Sequence, residues 1–147
     1  MRLTIRTKGF EEIKQRLNMM PREVAGEHLR EVAMEGAEVI RQEAIENALK
    51  HKKTGTLAND IHAEIAKESL GSRVIVHIGP GKKGWYGRLV ELGHAIVRGR
   101  RKAEKKVVGH APPHPWLRPA LDAKRQEALK LMADEFRRRL ERVWRRR

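Results

Sequence analysis

The chain has no cysteine, which excludes disulfides and thiolate metal sites and leaves the redox compartment open. Aromatic residues make up only 4% of the 147 positions, with three Trp, two Phe and one Tyr. Serine occurs only at Ser69 and Ser72, neither within a GxSxG arrangement, so the usual serine nucleophile is missing. No apolar run approaches the ~20 residues that span a bilayer. Nor does the start follow the basic, apolar, small-residue order of a signal peptide. The expectation is a soluble intracellular product with no membrane contact, folded as a single domain over residues 1–147. Acid is scarce as well: 19 Asp and Glu stand against 33 Lys and Arg, a net charge of +14. A surplus of that size calls for nucleic acid, an acidic protein surface or anionic lipid as partner.

What the sequence does have is concentrated in VIVHIGPGKKGWYGRLVELGH, Val74 to His94. Val74, Val76 and Ile78 alternate with Ile75 and His77, the period of a half-buried strand. Gly79-Pro80-Gly81 supplies a stop, because proline has no N–H for a ladder and glycine opens turn conformations. Trp85, Tyr86, Leu89, Val90 and Leu92 then recur at helical spacing, predicting a short helix with one apolar face and Gly93 as its C-terminal stop.

Upstream, Leu3, Ile5 and Thr7 predict a first strand, and Phe10, Ile13, Leu17 and Met20 a first helix ended by Pro21. Ala25, Leu29, Val32, Gly36, Ile40, Ala44 and Ala48 give the longest helical pattern, Arg22 to Lys50, with a stripe of small residues that lets a neighbour approach closely. His51 to Thr56 reads as a basic turn. A hairpin follows, with one strand over about Asp60 to Glu68, a turn at Leu70-Gly71-Ser72 and a partner from Arg73 to Gly79. Downstream, Ile96-Val97 could add a little strand, and Val107-Val108 could return the chain to the sheet. Pro119 suits the first turn of a last helix, whose stripe runs through Leu121, Ala128, Met132, Phe136, Leu140 and Val143. The fold class is therefore α+β: a small antiparallel sheet with a central hairpin, packed against a long N-terminal-half helix and a long C-terminal helix.

Chemistry is hard to find. His110 and His114 stand four apart, but the prolines around them (Pro112, Pro113 and Pro115) prevent the helix that would put both on one face, and no HExxH pattern exists. Glu91 and His94 could form a local carboxylate–imidazole pair, with no nucleophile near them in sequence. Gly79 to Gly84 only loosely resembles a phosphate loop, since Trp85 stands where lysine belongs. No catalytic, cofactor or metal residue is assigned, and no cofactor is expected.

The basic runs carry more information. Arg98, Arg100, Arg101, Lys102, Lys105 and Lys106 surround a single acid, Glu104, without apolar period, and predict a mobile loop over about residues 98–109. Arg137, Arg138, Arg145, Arg146 and Arg147 form an Arg-rich tail over about 137–147. Both are candidate contacts for a partner or DNA. With no interleaved aromatics for stacking and no identifiable recognition helix, a DNA contact would be to backbone phosphates, without sequence preference.

Three separated segments resemble one family. Lys53-Thr54-Gly55-Thr56-Leu57 ahead of Ile61 resembles its TGxLxxSI opening of the first hairpin strand. Val76-x-Ile78-Gly79-Pro80, Trp85-Tyr86 and Val90-Glu91-Leu92-Gly93 resemble its VGP…YAxxVEFG centre. Pro115-Trp116-Leu117-Arg118-Pro119-Ala120-Leu121 is similar to its PFLRPAL. These are the neck or tail-completion (head–tail joining) proteins of long-tailed bacteriophages, related to the minor tail protein Z of phage lambda. Asp60 departs from the usual Ser, His94 from the usual Thr, and the basic insertion is longer than usual. The resemblance implies a non-enzymatic virion protein that joins the DNA-filled head to the tail. It would form a ring of itself, with six copies the favoured number, around the DNA channel. It would meet neighbouring head-closure and tail-terminator or tail-tube proteins, and the genomic DNA backbone. Trp85, Tyr86, Glu91, Trp116, Leu117 and Pro119 would anchor the fold or the subunit contact. The alternative from charge alone is a sequence-nonspecific nucleic-acid-binding protein.

Overall fold

The computed structural model describes residues 22–50, 55–69, 73–99 and 105–145. The expected first strand and helix before Pro21, the basic turn at 51–54 and the turn at 70–72 lie outside these residues. The described elements are α1 (Arg22–Lys50), α2 (Thr56–Asn59), β1 (Ile61–Ile65), β2 (Val76–Pro80), α3 (Gly87–Leu92), β3 (His94–Arg98), β4 (Lys106–Ala111) and α4 (Leu117–Arg145). The α+β class follows directly: two long helices, two short ones and two two-stranded sheets.

The strands depart from the single sheet expected. Among the described residues β1 pairs with β2 and β3 pairs with β4, antiparallel from His94↔Ala111 to Arg98↔Lys106. Val107 and Val108 therefore do not return to the first hairpin. The cause is in the connections: α3 separates β2 from β3, and Pro112-Pro113 follows β4 at once, so the second hairpin leaves and returns at one place. A register shift between Ile96 and Val97 adds an extra residue on β4, which bends and twists such a ribbon. The expected loop over 98–109 is thus strand at Arg98 and again from Lys106 to Gly109.

The chain divides into two compact units. Among the described residues the first takes in 22–39, 64–69, 73–77 and 126–145. Its core is Val32, Phe136 and Leu140, flanked by Leu29, Met132 and Val143. Gly36 makes room for Met132 here: a Cβ at that position would stand 2.5 Å from Met132 Cγ, and the methionine would have to shift. Arg139 turns inward to ion-pair with Glu31 and Glu35 across the two helices. Ser69 closes the end of the hairpin, accepting the Ile75 N–H at 3.0 Å and donating to its carbonyl.

Among the described residues the second unit takes in 40–50, 55–63, 78–99 and 105–125. Its core is Ala44, Ala48, Leu57, Ala58, Ile61, Trp116 and Ala120. The small side chains on α1 and α4 leave room for Trp116, which is 2% exposed. Leu57 and Ala58 reach the core through α2, a single turn that Gly55 starts in the left-handed region at φ 76°.

Candidate assembly surface

The second unit builds a rigid frame from residues far apart in sequence. Asp60 sits at its start. The Asp60 carbonyl accepts the Gly81 N–H at 2.8 Å, and its carboxylate accepts the Gly84 N–H at 2.6 Å. This fastens the Gly-Pro-Gly-Lys-Lys-Gly turn, where a Cβ on Gly81 would lie 2.9 Å from that carboxylate. The Gly84 N–H holds the Asp60 carboxyl below the ordinary carboxylate value, with His62, 3.1 Å away, adding to the effect.

Trp116 is fixed on all sides. Its indole N–H donates to the Gly87 carbonyl at 3.0 Å, and its own carbonyl accepts from the Asn47 amide at 3.4 Å. At Gly87 an added Cβ would meet Leu57 Cδ1 at 2.6 Å and Trp116 Cζ2 at 3.3 Å. A side chain there would push Leu57 aside and crowd Pro80 and Trp116, so glycine lets α3 lie close.

Glu91 secures the start of α4. Its Oε2 accepts the N–H groups of Trp116 at 2.6 Å and Leu117 at 2.9 Å, and its Oε1 accepts that of Arg118 at 3.0 Å. A helix start leaves such donors without intrahelical partners. Pro119, next in line, has no N–H to satisfy, so one carboxylate serves the whole opening turn and complements the helix dipole. This disposes of the local Glu91–His94 pair: the carboxylate is engaged by α4, and His94 begins β3 as an exposed residue.

α3 shows an apolar face other than the one expected. Tyr86 and Val90 pack on the core with the buried Gly87 between them, so the helix is seated on that edge. Trp85, Leu89 and Leu92, at i, i+4 and i+7, point outward and are 67%, 37% and 58% exposed. Five apolar positions around a short helix cover too wide an arc for one flat contact. Trp85 keeps an edge contact to Tyr86, with ring centroids 6.2 Å apart.

The second hairpin continues this exposure. Every residue of β3 is exposed, and Ile96, Val97, Val107 and Val108 are 45–59% exposed. Its root is tightly held. Gly93 has φ 71°, a Cβ there would stand 2.7 Å from the Ala111 carbonyl oxygen, and the His114 N–H donates to Val90. We call the paired strands β3 and β4 the arm.

The basic candidates fall in two places. Arg98 and Lys106 are exposed on the arm and Lys105 next to it, while Arg100, Arg101 and Lys102 lie outside the described residues. Arg137, Arg138 and Arg145 are exposed on α4, Arg138 pairing with Glu135 at 2.9 Å; Arg146 and Arg147 lie outside. Leu117 is half-buried against the second core, and Pro119 is exposed. The sequence reading missed Asn47 and Gly87, whose roles depend on partners up to 69 residues away.

Among the described residues no His, Asp and Glu cluster could hold a metal ion, and no helix is long and apolar enough to cross a membrane. No curated protein and no solved structure matches the chain. A family model does, over residues 11–93, described as "Bacteriophage HK97-gp10, putative tail-component". The matched stretch holds Asp60, the glycine turn, α3 and Glu91, and it spans more than half of the sequence. The chain therefore belongs to the HK97-gp10-like family of bacteriophage tail-component proteins.

Proposed function

We propose that the protein is a structural piece of the virion, placed at the neck, where it joins the DNA-filled head to the tail as a ring around the DNA channel. The observation that carries this reading is the distribution of apolar surface in the second unit. Asp60, Gly87, Glu91 and Trp116 make a stiff frame, and that frame holds Trp85, Leu89, Leu92 and the arm valines out in water. A substrate site converges polar groups in a concavity; here the polar groups are spent on the frame and the apolar ones face outward. That is the distribution of a protein that works by fitting against others. Head-closure and tail-terminator or tail-tube proteins are the neighbours in this reading, and assembly takes place in the host cytoplasm. The test is deletion of the gene. Filled heads and finished tails should accumulate unjoined, and joined infectious particles in normal yield would overturn the proposal.

A second reading is kept by the exposed Arg98, Lys105 and Lys106 on and beside the arm together with the net charge of +14. A nucleic-acid contact through these residues would be to phosphates. It predicts duplex binding that weakens steeply as salt rises.

A further inference from the structure

We infer that one face of the arm is a clamp for the phosphates of double-stranded DNA, built on the cross-strand pair Arg98 and Lys106. The inference rests on the phosphate-contact reading above and fixes which groups make the contact. Successive pairs in the ribbon alternate between its two faces. His94↔Ala111, Ile96↔Gly109 and Arg98↔Lys106 fall on one, and Ala95↔His110 and Val97↔Val107 on the other. The cations and the paired valines therefore leave opposite faces. Arg98 and Lys106 stand directly across from each other, about 5 Å apart at Cβ, both are exposed, and neither has an ion-pair partner among the described residues. Like charges so placed destabilise a ribbon, and a two-stranded ribbon is marginal by itself. Folding gains nothing from the placement, whereas an anion held between the two side chains is favoured by both.

Three features select duplex DNA as that anion. The first is density of charge: residues 98–106 hold six cations and one acid. A duplex presents a charge every ~1.7 Å of its axis, whereas a protein surface intersperses both signs. A second copy, at +14, brings mostly the same sign. The second is shape, because a two-stranded ribbon is narrow enough to enter the ~12 Å major groove, and this one is held at its root by Gly93 and the His114–Val90 hydrogen bond. The third is the separation of faces. A lipid surface takes apolar and cationic side chains from one side, but Val97 and Val107 point away from Arg98 and Lys106. The cationic face carries no Asn, Gln or aromatic side chain, so the contact is to phosphates and is indifferent to base sequence.

The experiment is fluorescence anisotropy of the full chain with a short labelled duplex, between about 0.05 and 0.2 M salt. Two variants remove equal charge from different places: Arg98→Ala with Lys106→Ala on the arm, and Arg137→Ala with Arg142→Ala on α4. Wild type should bind duplexes of unrelated sequence alike, with log affinity falling linearly in log salt. The arm variant should bind at least fivefold more weakly at about 0.1 M salt, with a salt slope shallower by about two. The α4 variant should keep the wild-type slope. Arg98→Lys with Lys106→Arg should keep it too, because both charges remain. The arm variant should melt no earlier than wild type, since it loses a like-charge pair. If it does melt early, Arg98→Gln with Lys106→Gln replaces it and must still flatten the slope. An unchanged slope in the arm variant, or an equal loss in both variants, overturns the inference and leaves the phosphate-contact reading standing. So does binding of oligoglutamate or phosphatidylglycerol vesicles as tight as that of the duplex and equally lost in the arm variant. A wild type that binds no duplex removes both. The virion reading is scored separately, by the gene deletion.

Discussion

Glu91 offers a way to separate capping of α4 from the packing around it. In Glu91→Gln one oxygen remains, enough for the Trp116 and Leu117 N–H groups that Oε2 now accepts. The other oxygen becomes an amide that faces the Arg118 N–H, donor against donor, where Oε1 accepts at 3.0 Å. Loss of the charge also removes a favourable interaction with the helix N-terminus, about 0.3–1 kcal/mol. With one charge-assisted hydrogen bond lost, the expected destabilisation is about 1.5–2.5 kcal/mol. Glu91→Ala leaves all three donors without an acceptor, and about 3 kcal/mol is expected, partly relieved where water reaches the turn. Urea unfolding measures both. Amide exchange at Trp116, Leu117 and Arg118 should accelerate before that of the α4 interior. A Glu91→Ala protein within about 0.5 kcal/mol of wild type would refute the assignment of Glu91 as the clasp between α3 and α4.

Asp60 gives a pH signature. Its carboxyl is held below the ordinary value chiefly by the Gly84 N–H, so its contribution is fully present above that ordinary value and is lost as pH falls through the lowered one. Asp60→Asn should therefore differ most from wild type near neutral pH and converge with it as pH falls through the lowered carboxyl value in thermal melts; a constant gap would contradict this. Gly87→Ala places a methyl 2.6 Å from Leu57 Cδ1 and should cost about 1–3 kcal/mol with a shift in Trp116 fluorescence. A stabilised Gly87→Ala protein would mean that the close approach of α3 is not needed.

The long elements were legible because periodicity alone defines them. The stripe from Ala25 to Ala48 predicts α1 over the same bounds that the structure gives, and Pro119 with the stripe after it locates α4 within two residues. The first hairpin came from alternation. The second hairpin was harder to read, since Ile96-Val97 and Val107-Val108 are too short to specify a partner and cations fill the interval. Faces were less legible than elements. Trp85, Leu89 and Leu92 look like core by pattern, and they are outward because Gly87, a residue with no side chain to announce itself, seats the helix on its other edge. The Glu91 clasp joins positions 25–27 residues apart, and no local pattern encodes that pairing. Likewise the arginine run 137–139 reads as uniform, whereas Arg139 faces Glu31 and Glu35 and its neighbours face solvent.

Counting copies in purified particles by quantitative mass spectrometry, against a protein of known copy number in the same particles, tests the central claim most directly. A connecting piece at one junction should be present in a small fixed number, one ring's worth per particle, and missing from heads and tails purified before joining or confined to one of them. Absence from the particles, or copies in the numbers of a subunit repeated along the tail, would contradict the account.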